Sequence, residues 1–143
     1  MRIILSKINM KTCYLHLGFH KTATTSFQLS CGNNREKLLD EGIYYPKFKH
    51  QERKGNRWNH SGNIEFLCKA KQDEKLNRIK YFNKIEYEKS LKQTNDLILS
   101  GEGFSCMKKD ELETLRRNLV GNGFVIKAFG LVRSPYSFAC SAL

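Results

Sequence analysis

Glycine, lysine and threonine crowd one short stretch, Gly18-Phe-His-Lys-Thr-Ala-Thr-Thr25. These residue types suit a phosphate-like anion. Gly18 ends the apolar run Tyr14-Leu-His-Leu17 and lets the backbone approach a ligand closely. Lys21 places a full positive charge in the loop, and Thr22, Thr24 and Thr25 offer hydroxyl donors. A strand, a tight turn and a helix N-terminus in that order make an anion site. The unpaired N–H groups of the first turn point at the loop, and the helix dipole adds partial positive charge.

The loop is not a Walker A loop. That pattern places a second glycine directly before the lysine and a Ser or Thr after it for magnesium. Here only two residues, Phe19 and His20, separate Gly18 from Lys21, and neither is glycine. A magnesium-triphosphate cradle is disfavoured. An ordinary strand-to-helix turn capped by a threonine is the plainer alternative. It leaves Lys21 together with three threonines unaccounted for.

The stretch resembles the 5′-phosphosulfate loop of the sulfotransferase family, Gly-x-x-Lys-Thr-Gly-Thr-Thr. Gly18, Lys21, Thr22, Thr24 and Thr25 match it in order. Ala23 stands where the family has glycine; alanine fits if the backbone there is helical and is costly if φ must be positive. A second match lies near the other end of the chain. Arg133-Ser-Pro135, with Ser141 eight residues after the arginine, resembles the family's 3′-phosphate motif, and Ser137 is a poorer fit for the serine. Arginine at a strand end makes charge-assisted, bidentate contact with a phosphate. The two matches together imply one donor, 3′-phosphoadenosine 5′-phosphosulfate, and transfer of a sulfuryl group to a hydroxyl or amine.

The resemblance also implies roles for other residues. Ile43-Tyr-Tyr-Pro46 corresponds to the family's Gly-x-x-Tyr-Pro segment, and Ser100 with Glu102 to its Ser-x-Glu. Lys21 would stand by the bridging oxygen, and Arg133 and Ser141 would hold the 3′-phosphate. His60 and Glu102 are both candidates for the base that takes the acceptor's proton. An imidazole suits that work because its ordinary pKa lies near neutrality. A surface or capping role is the alternative for His60. For Glu102 it is a turn carboxylate capping the helix near Lys108.

The elements that must position these groups read as an α/β fold. The expectation is a three-layer parallel sheet carrying a P-loop-like strand-loop-helix. Strand one covers 12–17, without clear alternation because both faces are buried. A helix follows over 24–41, with Phe27, Cys31 and Leu38 toward the sheet, Gly32 as its weak point and Gly42 as its C′ residue. Residues 43–46 are a short extended piece, and 47–59 a polar loop. A helical pattern runs through Ile64, Leu67 and Cys68, and a stripe of Leu76, Ile79, Phe82 and Leu91 marks a surface helix within 73–92. Strands are expected over 95–100 and 124–132, with a helix over 109–120 between them, and Ser134-Pro135 opens a last helix. Ser100 and Glu102 then fall at the carboxyl end of a strand, where open parallel sheets bind ligands. Residues 1–9 read as a tail, and 10–143 as a partial sulfotransferase domain lacking the family's C-terminal part.

Composition narrows the partners. A net charge of +11 favours anions such as nucleotides, acidic glycans, nucleic acid or anionic lipid. Lys and Arg are spread along the chain without a basic-plus-aromatic module, so specific nucleic-acid binding is not expected. Cysteines at 13, 31, 68, 106 and 140 form no C-x-x-C pair and are odd in number, which favours reduced thiols and a cytoplasmic location over a disulfide framework or zinc site. No metal is expected, and no apolar run approaches a membrane span. The acceptor is unidentified, with a glycan hydroxyl suggested by analogy. The rival classes are a P-loop nucleotide kinase or hydrolase, and an inactive basic module that binds anions.

Overall fold

The computed structural model of the 143-residue chain describes residues 10–18, 23–48 and 77–134. Four strands form one sheet: β1 (Lys11–Leu17), β2 (Ile43–Tyr44), β3 (Asp96–Gly101) and β4 (Phe124–Phe129). The order across the sheet is β2-β3-β1-β4, and every neighbouring pair runs parallel. Helices α1 (Thr24–Asn33), α2 (Arg35–Asp40), α3 (Asn77–Leu91) and α4 (Lys109–Gly121) complete the α/β architecture, with a 3₁₀ turn over Glu102–Cys106.

The sheet separates two apolar clusters. One joins Cys13 and Leu15 of β1, Leu97 and Leu99 of β3 and Phe124 of β4 to Tyr87 and Leu91 of α3 and Leu115 and Leu119 of α4. The other is smaller: Cys31, Tyr45 and Ile98, with Tyr14, Phe27, Leu38 and Ile43 packed against them. Alternate residues of β1 feed the two sides, because successive side chains of a strand point to opposite faces. Both faces of β1 and β3 are therefore covered, and their sequences are mainly apolar without a clean alternation, His16 and Ser100 excepted. Burial drives the Cys13 thiol up to about 12, so it stays protonated and inert.

Two boundaries differ from those expected. The helix expected over 24–41 is two helices, broken at Asn34 (φ −114°, ψ 27°). Arg35 fixes the break. Its guanidinium donates to Gly32 O (2.9 Å), Tyr45 O (3.1 Å) and Pro46 O (3.4 Å), which ties the end of α1 to the chain after β2. Gly42 does take the left-handed conformation (φ 77°) at the end of α2, and its N–H donates to Leu39 O. Strand β4 stops at Phe129 rather than Val132: His16 opposite Phe129 is its last register pair, one residue before β1 ends. The short piece Ile43–Tyr44 is a strand in the same sheet, paired to β3 through Asp96 and Leu97.

Of the stripe expected on α3, Leu91 is the member whose burial is described, and the side chains of Ile79 and Phe82 lie outside the described residues. Leu91 is in the core, but so is Tyr87, whose hydroxyl donates to Asn118 Oδ1 of α4 (3.1 Å). Leu76 lies outside the described residues. On α4, Leu115 and Leu119 are buried while Leu112 faces outward. At its start the Glu111 carboxylate accepts the Lys108 N–H (2.9 Å), one half of a capping box. At the start of β1, Lys11 Nζ donates to Leu91 O and Gln93 O, both at 2.9 Å, and closes the end of α3. Among the described residues no helix is long and apolar enough to cross a membrane.

Candidate functional site

The end of β1, the end of β3 and the start of α1 meet at one edge of the sheet. Gly18 N–H donates to Gly101 O (3.1 Å), which carries the β1–β3 ladder one step past β1. Thr24, the first residue of α1, is buried against this junction. A β-carbon on Gly18 would stand 2.6 Å from Thr24 Cγ2, 2.8 Å from Thr24 Oγ1 and 3.0 Å from the Glu102 backbone N. Only glycine lets the three segments close this tightly. Ser105 of the 3₁₀ turn adds a hydroxyl bond to Gly18 O (3.3 Å) and another to Glu102 O (2.8 Å).

Ala23 precedes α1 with φ 61° and ψ 17°, the left-handed region. The condition under which alanine is tolerated here, a helical backbone, is not met. The conformation costs a non-glycine residue about 1–2 kcal/mol. Ala23 has no side-chain oxygen to cap the helix, and the first turn of α1 carries no acidic residue. The first helical bond is Phe27 N–H to Ala23 O (3.0 Å). The positive end of the dipole is thus met by no carboxylate from its own turn, an arrangement that an anion would complete.

The other expected site residues fall as follows. Thr25 is half-buried on the same turn as Thr24. Glu102 is half-buried and opens the 3₁₀ turn, with its backbone N facing Gly18. At the start of the helix after Lys108, the Lys108 N–H is taken by Glu111. Arg133 is exposed beyond the end of β4, on the side of the sheet where β1 and β3 also end. Lys21, Thr22, His60 and Ser141 lie outside the described residues.

Sequence reasoning missed a buried polar group directly under this edge. His16 and Ser100 are register partners on β1 and β3, both fully buried. Ser100 Oγ lies 2.8 Å from His16 Nδ1. From α1, Gln28 Nε2 donates to Ser100 O and Ser100 Oγ, each at 3.4 Å. The His16 ring packs against two phenyl rings, 4.4 Å from Phe27 and 5.0 Å from Phe129, the latter stacked, and the two phenyl rings meet edge-on at 5.7 Å. Burial lowers the His16 pKa, so the ring is neutral at pH 7. Its Nε2 has no partner among the described residues, at a cost of about 1–3 kcal/mol. The signal in the sequence was a histidine inside an otherwise apolar central strand.

Compared with family models, with curated proteins and with solved structures, the chain matches none.

Proposed function

We propose that the chain carries the donor site of a sulfotransferase that uses 3′-phosphoadenosine 5′-phosphosulfate. The observation that carries this reading is the meeting of Gly18, Thr24 and Glu102 at the carboxyl edge of a parallel sheet, beside a helix start with no carboxylate in its first turn. Open α/β sheets bind ligands at that edge. The residues that line it belong to the stretch that resembles the phosphosulfate loop. A P-loop-like strand-loop-helix is part of the same proposal. So is a cytoplasmic location, in keeping with the buried free thiols Cys13 and Cys31.

In this reading the backbone N–H groups of the first turn of α1, with Thr22, Thr24 and Thr25, hold the 5′-phosphate. The acceptor oxygen or nitrogen attacks sulfur, the bond from sulfur to the bridging oxygen breaks, and 3′-phosphoadenosine 5′-phosphate leaves. Lys21 stabilises the charge that grows on the bridging oxygen. His60 or Glu102 takes the acceptor's proton. Arg133 and Ser141 hold the 3′-phosphate and reject donors that lack it. Transfer of this kind asks mainly for alignment and charge stabilisation, and no metal is required. A glycan hydroxyl is the acceptor class that analogy suggests.

Calorimetry with 3′-phosphoadenosine 5′-phosphate and with magnesium-ATP tests the reading. Binding of the bisphosphate in preference to ATP is expected, weakened in Arg133→Ala. In a transfer assay Lys21→Ala should lose roughly 3–4 kcal/mol of transition-state stabilisation, a rate loss of orders of magnitude. Preference for magnesium-ATP would move the chain to the kinase and hydrolase class. Binding of neither nucleotide, with steeply salt-dependent binding to DNA, would leave a basic anion-binding module.

A further inference from the structure

We propose that His16, Ser100 and Gln28 form a polar lock that sets the first turn of α1 against the ends of β1 and β3. In this role Gln28 and His16 are positioning residues for the anion-binding turn. The consequence for nucleotide binding rests on the donor-site reading above; the lock itself does not.

The buried residues of α1 are Thr24, Gln28 and Cys31, at helical spacing along one stripe. Two of the three are polar. A stripe of Leu, Ile or Val would cover the sheet as well, but apolar contact is non-directional and lets a helix slide or rotate by tenths of an ångström. Hydrogen bonds restrict both motions. Gln28 lies one helical turn from Thr24, and its amide straddles the carbonyl and hydroxyl of Ser100. Ser100 is held in turn by the His16 ring. The ring is fixed by Phe27 of α1 and Phe129 of β4. One connected group therefore ties α1 to the three adjacent strands β3, β1 and β4, directly beneath the point where Thr24 meets Gly18.

A fold does not need this arrangement to be stable. Buried polar groups are often replaced by apolar ones of the same shape without loss. What the polar group supplies is a fixed distance between the N–H groups of the first turn and the strand ends, and pre-set geometry of that kind is what a charged ligand requires.

Gln28→Leu separates the two roles. Three quantities are measured on the full chain: thermal unfolding, exchange of the Phe27 amide, and affinity for 3′-phosphoadenosine 5′-phosphate. The variant leaves Ser100 its contact with His16 and is expected to fold, unfolding within a few degrees of the wild-type temperature. Exchange at Phe27 should speed up about tenfold, in line with the loss of one buried hydrogen bond, while the β1 amides stay protected. Nucleotide affinity should fall by a similar factor. His16→Asn, which keeps a group near the Nδ1 position, should retain most of the affinity. Where Gln28→Leu does not fold, Ser100→Ala is read in the same way. Unchanged exchange at Phe27 overturns the lock. Faster exchange with unchanged affinity overturns its positioning role. Should the wild type bind no nucleotide while Gln28→Leu still speeds the exchange, the donor-site reading falls and the lock stands.

Discussion

Gly18 and Thr24 are so close that a β-carbon on the glycine would lie 2.6 Å from the threonine methyl group. Thr24 is buried and sets both its methyl and its hydroxyl, at 2.6 and 2.8 Å, against that position, so turning its side chain gives little relief. Gly18→Ala should therefore push α1 away from the end of β1. We expect a loss of about 1–3 kcal/mol, the usual cost of overpacking, read from denaturant midpoints at constant slope. Gly18→Ala at wild-type stability would mean that the junction is looser than its geometry indicates.

Ala23→Gly should do the reverse. The left-handed backbone at position 23 is strained for alanine and relaxed for glycine. Part of the relief is offset by the greater freedom of glycine in the unfolded chain. A net gain of about 0.5–1 kcal/mol is expected, or a rise of a few degrees in Tm for a chain of this size. A fall in Tm would show that Ala23 relaxes to negative φ in solution.

Acid should unfold the protein in part through His16. Its folded pKa lies below the ordinary 6.5, so the folded form refuses a proton that the unfolded chain accepts. Nothing is lost above the ordinary value. Below it stability declines as pH falls, with a slope of up to about 1.4 kcal/mol per unit until the folded pKa is reached. Stability measured between pH 7 and 5 should fall less steeply in His16→Asn than in wild type. Equal slopes would remove His16 from the acid response.

Arg35→Lys should be almost as damaging as Arg35→Ala. The guanidinium serves three carbonyls from two segments and lies over the Tyr45 ring, 5.0 Å from its centre. An ammonium group cannot reproduce that fork. Both variants should lose about 2–3 kcal/mol in chemical denaturation, since several charge-assisted bonds to half-buried carbonyls go at once. A lysine variant of wild-type stability would show that charge alone suffices.

The parts legible in the sequence share one property: their signals are local. The cores of β1, β3 and β4 are apolar runs bounded by Gly18, Gly101 and Gly123, and α4 has a clear leucine spacing. Gly18 and Thr24 stand close together in the sequence, and the structure brings them into contact. What escaped depends on residues far apart or on buried polar groups. The bond between His16 and Ser100 joins positions 84 residues apart, and neither residue type announces a core. The buried stripe of α1 includes Thr24 and Gln28, which a search for apolar periodicity passes over. β4 ends at its last pairing with β1, Phe129 opposite His16, a limit that its own apolar residues through Val132 do not mark. The break at Asn34 follows from an arginine reaching back to a helix-terminal carbonyl and forward to Tyr45 and Pro46.

The strand order has a kinetic consequence. β1 precedes both of its neighbours, β3 and β4, by long stretches of sequence: Cys13 pairs with Leu97, and Lys11 with Phe124. Its two ladders close loops that span much of the polypeptide, so rapid early zippering is denied to it. Until Leu97 emerges to lie beside Cys13, a greasy central strand travels with both edges bare, and until Phe124 emerges one edge stays open. That interval is when the nascent chain has most to gain from a chaperone.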